Sequence, residues 1–329
     1  MIGTVLDTVL DRSIVAGYTN IGYRLRRRWW DDAELGSMAG KVVLVTGATS
    51  GLGTAAATGF ARLGAAVHLL ARDPSRGEDA RAAVAEQAEA DVHLELCDLA
   101  RLDSVREFAQ RFSDRVPRLD VLVNNAGVLT PERTLSPDGI ELTFAVNVLS
   151  PFLLTAELLD ALRRGAPSRV INVSSGGMYA RRLNADDLQN SRDFGPTAAY
   201  ARTKRAEVVL TEMWAERLAP DRIAVNAMHP GWVDTPGVRS SLPRFYRLTR
   251  PLLRTPAEGA DTIVWLGAAR AATFPRPEHG PEQGSGGFWH DRARRPVHLL
   301  PTTRESAADR RQLWAECERL SGTGVIAPA

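Results

Sequence analysis

Thirteen consecutive residues, Lys41-Val42-Val43-Leu44-Val45-Thr46-Gly47-Ala48-Thr49-Ser50-Gly51-Leu52-Gly53, restrict what this chain can fold into more than any other stretch. They begin with an apolar β-branched run that reads as a buried strand, break at a Gly-rich turn, and continue into Thr54-Ala55-Ala56-Ala57, which favours helix. A turn free of side chains lets backbone N–H groups and the positive end of the next helix face a pyrophosphate. Gly47, Gly51 and Gly53 meet that requirement. A loose glycine pattern serves an ordinary tight strand-to-helix connection equally well, so residues further along must decide.

From Lys41 onward the pattern alternates. Strands are predicted at 41–46, 66–71, 92–96, 119–124, 168–174 and 222–228, and helices at 51–63, 74–89, 102–114, 142–163, 198–218 and 256–268. Six such repeats make an α/β fold with a doubly wound, mostly parallel sheet covered on both faces. With 329 residues the chain can bury a large core, and one main domain over residues 39–300 is expected, with a helical extension at 1–38 and a helical tail at 301–329. The stretch from Phe274 to Gly287, rich in Gly and Pro, reads as a mobile loop.

Lys and Arg number 41 against 39 Asp and Glu, a net charge of +2, which is too even for an extended phosphate-backbone partner and argues against nucleic acid. Cys97 and Cys317 lack metal-ligand spacing and read as small buried hydrophobes in a reducing compartment, so no metal is expected. No apolar run reaches the roughly 20 residues needed to cross a bilayer. Asp7 and Asp11 interrupt what would otherwise resemble a leader, so a cytoplasmic protein is expected. In the extension, Ile2, Val5, Leu6, Val9, Leu10 and Ile14 share one helical face, with Asp7 and Asp11 on the other. The following Arg24-Leu25-Arg26-Arg27-Arg28-Trp29-Trp30 leaves two readings open: peripheral membrane contact through residues 1–30, or a helix lying on its own domain with solvated arginines.

Later residues carry chemistry. Arg72 follows the second strand, where a cation accommodates an adenosine 2′-phosphate and an acid would bind the ribose hydroxyls; Asp73 beside it is placed to cap the next helix. Tyr200 and Lys204, four apart on a helix, project to one side. A tyrosine titrates near pH 10 on its own, and a neighbouring ammonium favours its ionised form. Ser175 ends the fifth strand, where a hydroxyl can donate to an oxygen on which charge develops. Its distance of 25 positions from Tyr200 allows an inserted loop between them.

The Thr-Gly-x-x-x-Gly-x-Gly turn, Asn124-Asn125-Ala126-Gly127, Ser174-Ser175, Tyr200-Ala201-Arg202-Thr203-Lys204 and His229-Pro230-Gly231-Trp232 together resemble the short-chain dehydrogenase/reductase family, from about Gly40 to His290. The extension, Asp234-Thr235-Pro236-Gly237-Val238 and Phe288-Trp289-His290-Asp291-Arg292 are similar to one subgroup of that family. The resemblance implies a Rossmann fold and a carbonyl–alcohol oxidoreductase with a small-molecule substrate. It further implies Asn147, Ser175, Tyr200 and Lys204 as the catalytic set, Lys204 lowering the Tyr200 pKa and Asn147 holding a water that links Lys204 to solvent.

Cofactor contacts are implied at Thr46, Gly47, Thr49, Ser50, Gly51, Leu52, Gly53, Arg72, Asp98, Leu99, Asn125, Ala126, Gly127, Tyr200, Lys204, Pro230, Gly231, Val233 and Thr235, while Asn124 is assigned to the sheet. Ala71 followed by Arg72 implies NADP(H), with NAD(H) left open. The helices at 142–163 and 198–218 form dimer faces in the family, so a homodimer is expected. Residues 238–254, with Phe245, Tyr246, Leu248, Leu252 and Leu253, read as a cover over a hydrophobic substrate or, equally, as part of the core. An NAD-preferring enzyme on the same fold and a nucleotide-loaded sensor with little turnover stand as alternatives.

Overall fold

In the computed structural model, Asp7, Leu10, residues 13–270 and residues 284–324 are described, Ile14 through its backbone only. Ile2, Val5, Leu6, Val9 and Asp11 of the expected apolar and polar faces lie outside the described residues, as do residues 274–283 of the expected mobile loop. Within residues 13–270 the first elements are two short helices, α1 (Ile14–Tyr18) and α2 (Asn20–Arg27). The core then alternates as β1 (Val42–Thr46), α3 (Gly51–Arg62), β2 (Ala66–Ala71), α4 (Pro74–Ala85), β3 (Val92–Leu96), α5 (Leu102–Arg115) and β4 (Val121–Asn124). Next come α6 (Leu142–Phe144), a π-helical turn (Ala145–Leu149), α7 (Ser150–Glu157), α8 (Leu159–Gly165) and β5 (Ser168–Val173). The chain continues through α9 (Pro196–Leu218), β6 (Ile223–Met228), α10 (Pro236–Ser241), α11 (Pro243–Thr249), α12 (Pro256–Ala268), β7 (Phe288–His290), β8 (Ala293–Arg295) and α13 (Ala307–Ser321).

The strands form one sheet in the order β3-β2-β1-β4-β5-β6-β7-β8, all parallel except β8, which runs antiparallel to β7. The fold class is as expected. The six anticipated strands are present, and β7 and β8 extend the sheet to eight. At three residues each they are too short to show a period, and Asp291 and Arg292 turn between them with positive φ. The order reverses between β1 and β4, and that reversal opens a crevice at the carboxyl ends of the strands.

Side chains alternate across the sheet, so Leu44, Leu122 and Val170 enter one core with Phe108, Phe112, Phe144 and Phe152, while Val43, Val45, Val123 and Ile171 enter the other with Phe60, Ile263 and Trp265. The single helix expected over 142–163 is broken: the π turn widens it at Asn147, and a bend of 60° separates residues 142–157 from α8. Pro151 lacks the N–H that a continuous ladder would use.

The C-terminal helix α13 lies across α7 and α9. Trp314 sits 4.9 Å from Phe152 and 4.8 Å from Trp214, Arg217 covers Trp314 at 3.7 Å, and Arg310 pairs with Glu212 at 2.5 Å. This chain's own tail therefore covers part of the helical faces that the resemblance assigned to a dimer. Both cysteines are free and buried; burial pushes the Cys97 thiol up to about 11, leaving it inert.

The extension folds back onto the domain. Arg26, which one of the two open readings placed at a membrane surface and the other in solvent, is buried, donating from Nη1 to Asp291 at 2.7 Å and to Gly17 O at 3.0 Å. Asp7, expected opposite the apolar face, accepts from Arg26 at 2.6 Å and from Arg295 at 2.8 Å. The ion pairs form because a buried guanidinium needs a counter-charge.

Candidate active site

The glycine turn is shaped by close backbone approach. Gly47 and Gly51 have φ of +64° and +58°, in the left-handed region. A Cβ on Gly47 would lie 2.8 Å from Ala126 Cα, and one on Gly53 would lie 2.3 Å from Gly47 O. Thr46 Oγ1 accepts from the Asn125 and Ala126 N–H groups, and Asn125 Nδ2 donates to Thr46 O, each at 2.9 Å. The turn is thus held by the end of β4, with Ser50 at the N-terminus of α3. Thr235 stands over it, its Cγ2 3.1 Å from where a Gly51 Cβ would be. Leu52 and Val233 meet Gly259 on α12, so their side chains pack the wall behind the turn.

Around this cradle, Arg72 is exposed after β2, while Asp73 caps α4 by accepting from Arg76 N at 3.0 Å. Asp98 accepts from Ala100 N at 3.0 Å, and Leu99 O is held by the Ser150 hydroxyl. A cavity of about 860 Å³ between α3, α4 and α12 shares Thr49, Ser50 and Gly51 with the turn but does not reach Tyr200, so it lies on the far side of α3 from the chemistry. The residues fit a bound dinucleotide: the glycines leave open backbone at a helix N-terminus, and the turn's polar links keep it in shape.

Tyr200, Lys204 and Ser175 converge at the end of β5. The Lys204 ammonium lies 5.5 Å from the centre of the Tyr200 ring, and the Ser175 side chain is near enough to the phenol to favour its ionised form slightly. Ser175 Oγ also accepts from Gly177 N at 3.2 Å, and Ser174 donates to Lys204 O at 2.8 Å. The hydroxyl of Ser175 therefore faces the phenol, and that of Ser174 fastens strand to helix. The connection from Ser175 to the start of α9 at Pro196 holds two short 3-10 turns, Gly176–Ala180 and Ala185–Asp187.

Asn147 sits in the π turn with Oδ1 accepting from Val128 N at 2.8 Å and Nδ2 donating to Val128 O at 3.0 Å and Thr203 Oγ1 at 3.1 Å. A Cβ on Gly127 would stand 3.4 Å from both Asn147 Oδ1 and Lys204 Nζ, so Gly127 leaves the floor of the site open between them. Asn124, as expected, belongs to the sheet, donating to Asn172 Oδ1 at 2.9 Å.

The charge on Lys204 is not directed at Tyr200 alone. Lys204 is 2% exposed, and Nζ donates to Val173 O at 2.9 Å and to Glu207 Oε1 at 2.7 Å. Burial pulls the lysine down, but Glu207 and Tyr200 together more than offset it and keep the ammonium charged. For Tyr200, burial pushes the phenol upward and exceeds the downward pull of Lys204, with Glu207 adding to the rise. The expectation that Lys204 lowers the phenol is corrected to this extent: the pull is present and the net direction is up. Glu207 was not anticipated as part of the site, although its place one helical turn after Lys204 is the signal that would have found it.

Two further groups were missed. Tyr18 from the extension lies against the site, its ring 2.5 Å from where a Gly176 Cβ would be, 4.5 Å from the His229 ring and 6.4 Å from Trp232. Arg254 is buried behind the Pro230-Gly231 turn, donating to Pro230 O at 3.2 Å and Tyr18 O at 3.1 Å and pairing with Asp291 at 2.5 Å. Gly231, φ +79°, is required there because a Cβ would meet Arg254 Nε at 2.6 Å. His229 stacks on His290 at 3.8 Å, and burial followed by His290 and Arg254 drives its pKa well down, so it is a neutral packing group rather than a base. In the expected cover, Phe245 meets Trp232 at 5.0 Å and Leu253 is buried, whereas Leu248 is 81% exposed.

Comparison with known proteins decides the family, because the short chain dehydrogenase model matches residues 41–244. The chain belongs to the short chain dehydrogenase family. It is 42% identical to dehydrogenase/reductase SDR family member 12 from Bos taurus, over 92% of this chain and 94% of that one. Human retinol dehydrogenase 14 is 36% identical, covering 91% of this chain and 90% of its own length. Among solved structures, the NADP active-site complex of Pseudomonas aeruginosa RhlG matches with a TM-score of 0.62 and 28% identity, over 77% of this chain and 94% of that one. Membership makes this chain an NAD(P)-dependent oxidoreductase that interconverts a carbonyl and an alcohol on a small molecule.

Proposed function

We propose that the chain is an NADP(H)-dependent reductase of hydrophobic ketones or aldehydes, with Tyr200 as its proton donor. The observation that carries this reading is the meeting of Tyr200, Lys204 and Ser175 at one strand end beside the glycine turn. A bound nicotinamide would supply the hydride. Ser175 donates to the substrate oxygen and orients it, Tyr200 gives that oxygen its proton, and the Lys204 ammonium stabilises the phenolate left behind. Asn147, tied to Val128 and Thr203, keeps the π turn in shape beneath them. Arg72 after Ala71 favours a 2′-phosphate over bare ribose hydroxyls, and the NADP complex of the Pseudomonas relative agrees with it.

The aromatic wall of Tyr18, Trp232 and Phe245 suits a bulky apolar substrate, in keeping with a relative named for retinol. The part of the α7 and α9 face under α13 is closed to a second copy, so a homodimer would use the rest of that face or another surface.

Turnover of all-trans-retinal, decanal and benzaldehyde with NADPH is the direct test. Tyr200→Phe should still bind NADPH while losing activity by about 100-fold or more, the scale of a lost general acid. Undiminished turnover removes Tyr200 from the mechanism. Arg72→Ala should weaken NADPH binding by about tenfold and leave NADH binding within about twofold, a difference near 1.4 kcal/mol. Equal losses for both cofactors would favour the NAD-preferring alternative.

A further inference from the structure

Glu207 has one oxygen on Lys204, and the other, Oε2, is buried without a hydrogen-bond partner. Asn124 is in the same position at the end of β4: Nδ2 is committed to Asn172 and Thr155, while Oδ1 is buried and unpartnered. Both residues line a single small cavity, about 10 Å³, together with Thr155, Asn172 and Trp214. That is room for about one water. Two unpartnered acceptors on one water-sized space need two hydrogens between them. One water can donate both, or a proton on Glu207 can supply one. The neighbouring amides are held in a fixed orientation, because Asn172 Nδ2 donates to Thr211 Oγ1 and Thr211 Oγ1 donates to Glu207 O. Asn147, the position otherwise expected to carry protons away, has both its amide atoms engaged, and the contacts of Lys204 lead to Glu207.

We propose that Glu207 is a positioning residue that relays protons to Lys204, exchanging with it through Oε1 and with a water held between Oε2 and Asn124 Oδ1. The assignment rests on Tyr200 acting as proton donor. As the substrate oxygen gains its proton, the Tyr200 O–H breaks; Lys204 returns a proton to the phenolate, a protonated Glu207 returns one to the amine, and the carboxylate left behind is recharged by a proton from bulk solvent passed on through the cavity water. Each transfer breaks one bond to hydrogen and forms another, and the hydride alone carries the redox change. Burial, opposed by Lys204, lifts Glu207 to about 7, which poises it to give and take protons near neutrality. The groups facing it are Lys204 on α9, with Tyr200 beyond, and the uncharged Asn124, Asn172, Thr155, Pro151 and Phe152 from β4, β5 and α7.

The test pairs kinetics with a readout independent of turnover. In Glu207→Gln, kcat for retinal reduction should fall at least tenfold and lose its ionisation near pH 7, on the lower side of general acid–base effects of about 100-fold, with KM for NADPH within about twofold. Glu207→Asp should recover part of kcat and restore an ionisation. A folded Gln variant with wild-type kcat and pH profile overturns the proposal. If the Gln variant does not fold, infrared titration of the wild type decides: a protonated buried carboxyl band should fade as pH rises through 7 and shift in Glu207→Asp. Absence of that band overturns the proposal even if no carbonyl substrate is found, which separates its failure from that of the Tyr200 reading.

Discussion

Two buried carboxylates on this chain meet opposite fates. Asp291 accepts from Arg254 at 2.5 and 2.8 Å and from Arg26 at 2.7 Å, so both of its oxygens face guanidinium. Burial alone would raise it, but the charges of His290, Arg254 and Arg26 hold it far below the usual carboxylate range. Glu207 is 7% exposed, meets one ammonium with one oxygen, and is pushed up to about 7. Equal burial thus gives a fixed charge in one place and a titrating group in the other. The difference lies in the number of cations: two planar forks, each with further partners, face Asp291, whereas Glu207 meets the single ammonium of Lys204. The first arrangement fastens the extension to the C-terminal strands, and the second leaves a proton free to move.

The largest expected effect breaks the first arrangement. Asp291→Asn keeps the shape and removes the charge, leaving two buried guanidiniums facing a neutral amide, and should cost about 3–5 kcal/mol in denaturant unfolding. A loss below about 1 kcal/mol would mean that the extension is not held by this ion cluster.

Arg254→Lys sharpens the comparison by making the surroundings of Asp291 resemble those of Glu207. The lost fork should cost about 1.5–3 kcal/mol, the worth of a hydrogen bond to a charged group. It should also move acid unfolding. Asp291 has a lowered folded pKa, so its contribution is present above the ordinary carboxylate value and is lost as pH falls through the folded one. In the variant that loss should begin at higher pH, visible in melting temperature against pH. Glu207 has the opposite sign: its folded value is raised, so its contribution is present in acid and lost as pH rises through about 7.

The smallest effect is at the rim. Asp7 is 31% exposed, and its pairs with Arg26 and Arg295 are partly screened, so Asp7→Asn should cost about 1 kcal/mol or less. A larger loss would place Asp7 with Asp291 rather than outside it.

What could be read from the chain before folding was local. The glycine turn, the four-residue step from Tyr200 to Lys204, and the strand that leads into Ser174-Ser175 each declare themselves within a few positions, because strand and helix geometry convert short spacings into shared faces. Glu207 was within the same reach but looked like any helical acid, since its burial depends on β4, β5 and α7 closing over it. The π turn at Asn147, the three-residue strands β7 and β8, and Tyr18 against Gly176 gave no periodic sign.

The amino-acid order by itself determined the alternating core, the cradle and the catalytic pair, because hydrophobic period and backbone freedom are properties of neighbours. Only the tertiary structure decided which buried charges stay fixed and which move. Arg26 and Arg254 reach Asp291 across 265 and 37 positions, and a carboxylate's ionisation follows the cations that the finished fold places around it.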